Sequence, residues 1–430
     1  MIFAAGKLLP PEALPELLDG LEKRVERTLA GPPLEAETVI SALDGLGRAL
    51  ESGELDPLLL QYAPPGTRAE LEEVRWMLRR ETLEARLDLE LGALRPGARL
   101  PRPFGEVRAE PLGVLFHVAA GNQPGLPLFS AAEGLLTGNL NLIKLPHGDR
   151  GLSLAALKLL TDREPRLAPW LYALEASSRD TRTLERLAAL ADGVVTWGGD
   201  GAVAALRRLA PPGSKLIEWG HRLSFVYLAD WTDREGELTA LARHIVRTGG
   251  LLCSSCQVIF LDTEDPAEGV RFCETFLPLL ERAAQARSRD QAAQAALHTH
   301  TYRLERLAEG SEGKTWFGTG CSLTWKEDRE LELSPLRGNV LVKCLPRREL
   351  LPVLRRQRGR LQTAGLLCRP EDWEELTALL ARAGVTKIAP PGEMSAACPG
   401  EAHDGMYPLG RYIRLVDVSS APRGGRLEEK

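Results

Sequence analysis

Two rhythms divide the chain. From residue 10 to residue 92 the sequence is rich in Leu and Glu, and apolar residues return every three or four positions, the period of an amphipathic helix. The clearest case follows Pro64-Pro65-Gly66. Thr67 and Glu70 stand at capping-box spacing, Leu71, Val74 and Leu78 follow on one face, and Gly92 closes the run. One helix is predicted there, with a role in packing or at a subunit surface. From about residue 111 the apolar residues gather instead into short continuous runs. Gly113-Val114-Leu115-Phe116-His117-Val118 reads as a buried strand, and the loop Ala120-Gly121-Asn122-Gln123-Pro124-Gly125 leads into a helix that ends at Thr137-Gly138. A second strand, Leu140 to Lys144, a helix near 152–161, a strand near 170–174 and a helix near 180–190 follow. The strand Gly193-Val194-Val195-Thr196-Trp197 runs into Gly198-Gly199-Asp200-Gly201 and a further helix. Strands that alternate with helices in this way predict a doubly wound α/β sheet with parallel strands.

The alternation resumes near Glu218. Ser224-Phe225-Val226-Tyr227-Leu228 is a strand, and a helix near 233–248 carries Leu238, Leu241, Ile245 and Val246 on one face. Gly249-Gly250 stops it. The loop Leu251-Leu252-Cys253-Ser254-Ser255 then feeds a strand from Cys256 to Leu261. Strands near 321–326, 339–344, 361–368 and 386–389 and a helix near 371–383 complete the pattern, with no internal repeat.

Composition narrows the class. The 430 residues allow roughly two or three domains. Basic and acidic residues, 54 and 59, are well mixed and give a net charge of −5, without the basic patch that nucleic acid requires. No apolar run approaches the roughly 18 residues of a membrane span, and the first residues lack the regions of a signal peptide. Seven widely spaced cysteines are an odd number and argue against a disulfide framework. The expectation is a cytoplasmic protein.

Five places offer chemistry, each with a plainer alternative. Cys253, on a Gly-flanked loop, has the exposure a nucleophilic thiolate needs; it is also half of a Cys-x-x-Cys pair with Cys256, or filler. Zinc would need two further ligands, and no metal site is expected. A thioredoxin-like pair would open a helix after a strand, whereas this one follows a helix and enters a strand. Asn122 can donate its amide to a developing oxyanion, or simply shape a turn. Gly198 and Gly199, after a strand and before a helix, can hold a phosphate on backbone N–H groups, although the full G-x-G-x-x-G fingerprint is absent. Glu218 beside Trp219 can act as a general base, or pair with Arg222 or another cation. His403 in the turn His403-Asp404-Gly405 can titrate or touch a ligand, or cap the turn.

The order of these sites is more informative than any one of them. An Asn loop after a strand, a strand ending in Lys144, a glycine turn, Glu218 in Glu-x-Gly-x-basic, and a loop cysteine about 35 positions later together resemble the aldehyde dehydrogenase superfamily. Arg80-Glu81-Thr82-Leu83, Gly121-Asn122-Gln123-Pro124, Trp197-Gly198-Gly199-Asp200, Cys253-Ser254-Ser255, Leu361-Gln362-Thr363 and His403-Asp404-Gly405 are similar to the acyl-CoA reductases of bacterial bioluminescence, over roughly residues 70 to 415. The chain departs from the pattern twice. Glu-Trp-Gly-His-Arg, with Arg222 in the lysine slot, replaces Glu-Leu-Gly-Gly-Lys, and Cys256 stands where proline is common.

The resemblance implies an aldehyde dehydrogenase-like α/β fold: a helical region over 1–92, a Rossmann-type nucleotide-binding domain over 93–221 with a return at 400–430, and a catalytic cysteine domain over 222–399. Cys253 matches the acyl-accepting cysteine, Asn122 and the Cys253 N–H the oxyanion hole, and Glu218 the general base. Lys144 matches the contact to the adenosine ribose or its 2′-phosphate, and Trp197, Gly198 and Gly199 the turn beside the cofactor diphosphate. The implied reaction is NADPH-dependent (or NADH-dependent) reduction of an acyl-CoA or acyl-carrier thioester to the aldehyde. A homo-oligomer and an acyl-transferring partner enzyme are implied too. Oxidation of an aldehyde to an acid, and a redox-sensing Cys-x-x-Cys scaffold in which Cys253 and Cys256 form a disulfide, are the alternatives.

Overall fold

The structure is a computed structural model that describes residues 1–63, 67–103, 105–121, 124–310 and 314–419, without the side chains of residues 69, 70 and 73. The chain divides into two compact units, one of Met1–Gly220, Cys398–Ala402 and Met406–Lys430, the other of His221–Ala397 and His403–Gly405.

The first unit contains β1 (Ile2–Ala4), β2 (Lys7–Leu9), β3 (Arg99–Arg102), β4 (Gly105–Pro111), β5 (Val114–Val118), β6 (Leu140–Leu145), β7 (Leu171–Glu175), β8 (Gly193–Trp197) and β9 (Lys215–Trp219). Seven of them form a sheet in the order β2-β1-β7-β6-β5-β8-β9. β7, β6, β5, β8 and β9 are parallel, and β1 adds to β7 antiparallel. The continuous apolar runs of β5 to β8 follow from this arrangement, because a central parallel strand is covered on both faces. The chain moves outward from β5 through β6 to β7, then returns to the other side of β5 with β8. The strand order therefore reverses between β5 and β8, and the crevice at their carboxyl ends is where open α/β sheets bind ligands.

Residues 1–92 join this unit's core. Phe3, Leu21, Leu43, Leu83 and Leu87 pack in one cluster with Phe116, Leu142 and Leu157. The helix predicted from Thr67 to Gly92 is in fact two, Thr67–Val74 and Arg80–Leu91, separated by a 3-10 turn at Arg75–Leu78. Arg79 is extended there (φ −68°, ψ 144°), and the Arg80 N–H is taken by Asp44 Oδ1 at 3.1 Å, so a tertiary acceptor competes with the helical one. The capping box lies outside the described residues, as the Glu70 side chain does. Arg86 on the second helix is buried between Glu90 and Glu133, at 2.6 and 2.7 Å. Glu90 also accepts from the Leu409 N–H and Glu133, on the helix Leu126–Leu136, from the Tyr412 hydroxyl, which fastens the C-terminal return to Arg80–Leu91 and Leu126–Leu136. Burial pushes the Glu133 carboxyl upward against the pull of Arg86. Breaking such a buried pair from one side costs about 3–5 kcal/mol.

The second unit holds β10 (Leu223–Leu228), β11 (Cys256–Leu261), β12 (Thr315–Gly318), β13 (Cys321–Lys326), β14 (Asn339–Cys344), β15 (Leu361–Leu367) and β16 (Lys387–Ala389), in the order β12-β13-β14-β11-β10-β15-β16. All pairings are parallel except β12 with β13. Central β10 is irregular at its amino end: its register shifts between Ser224 and Phe225 against β11 and between Leu223 and Phe225 against β15.

A last strand, β17 (Ile413–Ser419), pairs with β4, and β4 with β3, in an antiparallel sheet of the first unit. The sequence reading did not find these strands. They are half-polar, with exposed Arg99, Arg102, Leu415 and Val416, and carry no continuous apolar run.

Candidate active site

Candidate residues occur in both units and are described unit by unit.

In the first unit, Trp197 ends β8 at the reversal point, and Gly198 and Gly199 lead into the helix Asp200–Leu209. No side chain caps that helix, and a Cβ at Gly199 or Gly201 would meet open space. Lys144, near the carboxyl end of β6, is mostly buried, and the loss of water lowers its ammonium pKa. Among the described residues it has no ion pair. A cation held in this way near the carboxyl end of β6 and an open glycine turn after β8 of the same sheet suit an anionic or polyhydroxyl ligand, so the residues present fit a dinucleotide. Asp200 is the acidic residue in the first turn of that helix. Asn122 lies outside the described residues.

A polar chain that sequence reasoning missed runs beneath Trp197. Trp197 Nε1 donates to Ser130 Oγ at 2.9 Å. Ser130 Oγ lies 2.7 Å from His117 Nδ1, and His117 Nε2 lies 2.9 Å from Asn141 Oδ1. Asn141 Nδ2 donates to the Asn139 carbonyl at 2.8 Å. Every direction is fixed. A carbonyl only accepts, so the Asn141 oxygen must face His117, and Nε2 must carry the proton. Burial holds the imidazole neutral, with a pKa lowered to about 4, which leaves Nδ1 to accept from the Ser130 hydroxyl. Gly134 makes room for this chain, since a Cβ there would sit 1.9 Å from Asn141 Oδ1. The signal was visible as His117 and Asn141 within otherwise apolar strand runs, with Asn139 just ahead of the second. Trp197 also stacks on Trp219, with ring centroids 5.3 Å apart.

Glu218 is on β9, and Arg207 from the preceding helix grips it by both oxygens. Its partner is thus Arg207 and not Arg222, which turns to Asp404.

In the second unit the helix Glu235–Thr248 ends on Gly249 in the left-handed conformation, φ 57°, and Gly250 follows at φ 79°. The chain then turns tightly. The Ser255 N–H reaches the Leu252 carbonyl at 3.0 Å, and the Leu252 N–H reaches Ser255 Oγ at 2.9 Å, which puts Cys253 and Ser254 at the corners. The turn is anchored on several sides. Ser224 Oγ, on the irregular end of β10, donates to the Cys253 carbonyl at 2.6 Å and accepts from the Thr363 N–H. Ser254 Oγ meets Ser395 Oγ at 2.7 Å. Gln257 Nε2 donates to the Gly250 carbonyl, while the Arg337 N–H donates to that of Gly249. Register irregularities beside functional loops re-aim the backbone in this way. Cys253 therefore sits at the amino ends of β10, β11 and β15.

Cys253 is exposed. Its thiol pKa is raised, by loss of water around the sulfur and by the Asp404 charge. Hydrogen bonds from Gln362 and from the Ser254 and Cys253 N–H groups pull the other way. Cys256 is buried in the core beside Val226, Ile259 and Met394, with its sulfur toward the Val258 carbonyl at 3.6 Å. It behaves as a small apolar side chain. The Cys-x-x-Cys spacing does not present two surface thiols, and both cysteines are free. His244, under the same loop, is buried with its pKa lowered to about 4, chiefly by loss of water. Gln362 and Asp404 stand in motifs that the sequence analysis singled out, but their contact with Cys253 needs the fold. No helix among the described residues is long and apolar enough to cross a membrane.

The model of the family described as "Acyl-CoA reductase (LuxC)" matches residues 34–415. The chain belongs to this family. Among relatives of the LuxC family, a long-chain acyl-protein thioester reductase of Vibrio harveyi is 26% identical over 371 residues, 83% of this chain and 75% of that protein. The Aliivibrio fischeri protein of the same description is 25% identical over 327 residues, 74% of this chain and 66% of its own length. Solved structures give the LuxC-family chain an aldehyde dehydrogenase fold. Aldehyde dehydrogenase 21 of Physcomitrella patens aligns with TM-score 0.70 over 98% of each chain at 12% identity. A lactaldehyde dehydrogenase aligns with TM-score 0.66 over 95% of this chain and 91% of that one at 15% identity.

Proposed function

We propose that the protein reduces a fatty acyl thioester to the aldehyde through an acyl group carried on Cys253. The observation that carries this reading is the built turn that presents the exposed residue Cys253, pinned by Ser224 Oγ on its carbonyl and by the Ser255 side chain on the Leu252 N–H, in a chain of the acyl-CoA reductase family. The Cys253 thiolate attacks the thioester carbonyl, the carbon–sulfur bond to the donor thiol breaks, and that thiol leaves with the electron pair. Asn122 and the Cys253 N–H are the proposed donors to the tetrahedral oxyanion. A reduced nicotinamide, when bound, supplies the hydride that converts the acyl-cysteine to the thiohemiacetal level. Collapse then returns the electron pair to the Cys253 sulfur and frees the aldehyde.

Lys144, Trp197, Gly198 and Gly199 are the proposed cofactor residues, at the strand ends where this sheet type binds nucleotides. NADPH is the preferred form, with Lys144 as the candidate contact to the ribose or 2′-phosphate. Glu218 is a reserve base: hydride rather than water resolves the acyl-enzyme, and its carboxylate is already engaged by Arg207. Acyl-CoA and acyl-carrier thioesters are the candidate substrates, with an acyl-transferring partner enzyme as a candidate source and a homo-oligomer as the proposed assembly.

Incubation with a panel of acyl-CoAs without cofactor, read by intact mass, tests the reading. An acyl adduct that disappears in Cys253→Ala is expected. Absence of an adduct at every chain length overturns it.

A further inference from the structure

We propose that Gln362 is a catalytic hydrogen-bond donor to the Cys253 sulfur and that Asp404 and Arg222 are positioning residues that fix which end of the Gln362 amide faces it. The inference rests on Cys253 as the nucleophile and adds three residues to it, all in the second unit. Gln362 Nε2 donates to Asp404 Oδ1 at 2.6 Å, and its neighbour Thr363 is tied to Cys253 through Ser224 Oγ, which accepts from the Thr363 N–H at 3.0 Å and donates to the Cys253 carbonyl at 2.6 Å; this brings the Gln362 amide near the thiol, whose pKa it pulls down. Arg222 Nε donates to the other Asp404 oxygen at 2.8 Å, and Arg222 Nη1 is fixed in turn by the Gly359 carbonyl. The Asp404 carboxylate is 2% exposed.

The logic lies in what each group can do. A primary amide offers an oxygen at one end and two N–H hydrogens at the other, and nothing in the amide alone chooses between them. A carboxylate only accepts. Asp404 therefore forces the nitrogen end of Gln362 toward itself, and the second hydrogen of that nitrogen is left for the sulfur. Flipping the amide would press its oxygen against a buried carboxylate and against the sulfur at once. Arg222 makes the arrangement affordable in charge, because it pairs the carboxylate that would otherwise face a thiolate unopposed. Asp404 holds this place with a backbone φ of 51°, in the left-handed region that residues other than glycine seldom occupy. Such strain persists only where surrounding contacts hold it. Three sequence features that have no common explanation along the chain, Leu361-Gln362-Thr363, His403-Asp404-Gly405 and arginine in the lysine slot at 222, thus become one device.

The relay makes a prediction opposite in sign to simple electrostatics. Asp404→Asn removes a negative charge near the thiol, which by charge alone would favour the thiolate and speed its reactions. If Asp404 acts by orienting Gln362, the new amide presents its N–H to Gln362 while its oxygen stays with Arg222. Gln362 then flips, its oxygen faces the sulfur, and the thiolate is disfavoured.

The experiment is alkylation of Cys253 by iodoacetamide in the full chain, followed by mass across pH 6–11. Gln362→Met is expected to slow the reaction at pH 8 by about tenfold, the effect of about one pKa unit. Asp404→Asn is expected to slow it as well. In the double variant the same Asp404→Asn change should speed the reaction relative to Gln362→Met, since only the charge is then left to matter. Acceleration by Asp404→Asn in the parent, or no change in Gln362→Met, overturns the proposal. Thermal melts of each variant separate this from misfolding, and Gln362→Glu serves if Gln362→Met does not fold: by adding a charge and losing the donor it must also slow alkylation. Alkylation needs no acyl substrate. A missing acyl adduct with the sign reversal intact therefore refutes the acyl-transfer reading and leaves the relay standing, whereas an adduct without the reversal does the opposite.

Discussion

Arg207 Nε lies 2.5 Å from Glu218 Oε1 and Arg207 Nη2 lies 2.6 Å from Oε2, so the carboxylate that sequence order marks as a general base is held at both oxygens in the resting chain. Fork-to-fork contact of this kind gives direction as well as energy. Arg207 itself is largely exposed, with a side-chain exposure of 61%, so solvent screens the pair and it adds little to stability. Arg207→Gln should leave the melting temperature nearly unchanged. It should raise the cofactor-independent hydrolysis of the acyl-enzyme several-fold, and Glu218→Gln should abolish that gain. Release of fatty acid after single acylation measures this. Equal hydrolysis in the parent and Arg207→Gln would show that Glu218 does not act on water.

Acid stability should depend on two histidines, one in each unit. His117 and His244 are neutral in the fold, with pKa values lowered from 6.5 to about 4 by burial. Unfolded, each takes a proton below pH 6.5. The stability that each contributes is therefore complete above pH 6.5 and is lost as the pH falls from 6.5 through 4, about 3 kcal/mol per histidine. Urea unfolding at pH 7.5, 6 and 4.5 should show the decline. His117→Gln should be less stable at pH 7.5 yet lose less on acidification. A decline as steep as that of the parent would place the proton uptake elsewhere.

Oxidation should single out one sulfur of the Cys253-Ser254-Ser255-Cys256 run. Cys256 is walled into the core, and burial raises its thiol pKa far above the ordinary range, whereas Cys253 is exposed. Mild peroxide should add oxygen to Cys253 and leave Cys256 untouched. Peptide mapping that found a Cys253–Cys256 disulfide instead would restore the redox-sensor alternative. Cys256→Ala should cost about 1 kcal/mol of stability and leave the Cys253 alkylation rate unchanged.

How much of this could be read from the chain varies with the range over which each feature is decided. β5, β6, β8, β10 and β11 were legible because a parallel strand covered on both faces must be apolar throughout. β3, β4 and β17 were not, since strands with one wet face and many charges resemble loops. The break at Arg79 was hidden for a different reason: Asp44, which takes the Arg80 N–H, is 36 positions away. The Cys253 turn announced itself through Gly249, Gly250 and Ser255. Its supports did not. Ser224 meets Cys253 across 29 positions and Gln362 meets Asp404 across 42, distances over which one sequence carries no pairing signal. Glu218 shows the opposite limit. Its place in the order suggested a base, and its nearest cation, Arg207, lies 11 positions earlier on a helix face that order alone does not assign.

The chain from Trp197 through Ser130 and His117 to Asn141 has a bearing on how any ligand can be read at the reversal point of the first sheet. Each donor in it has one acceptor, and a single tautomer sets the sense of all of them. The indole N–H of Trp197 is turned inward to Ser130 and is not on offer to a guest. What the residue can lend a bound nucleotide is the face of its ring, backed by Trp219, together with the main chain at Gly198 and Gly199. Specificity at this wall of the crevice is then a matter of flatness and clearance rather than of side-chain donors. A change at Ser130 or His117, beneath the ring, would be felt as a tryptophan that has come loose.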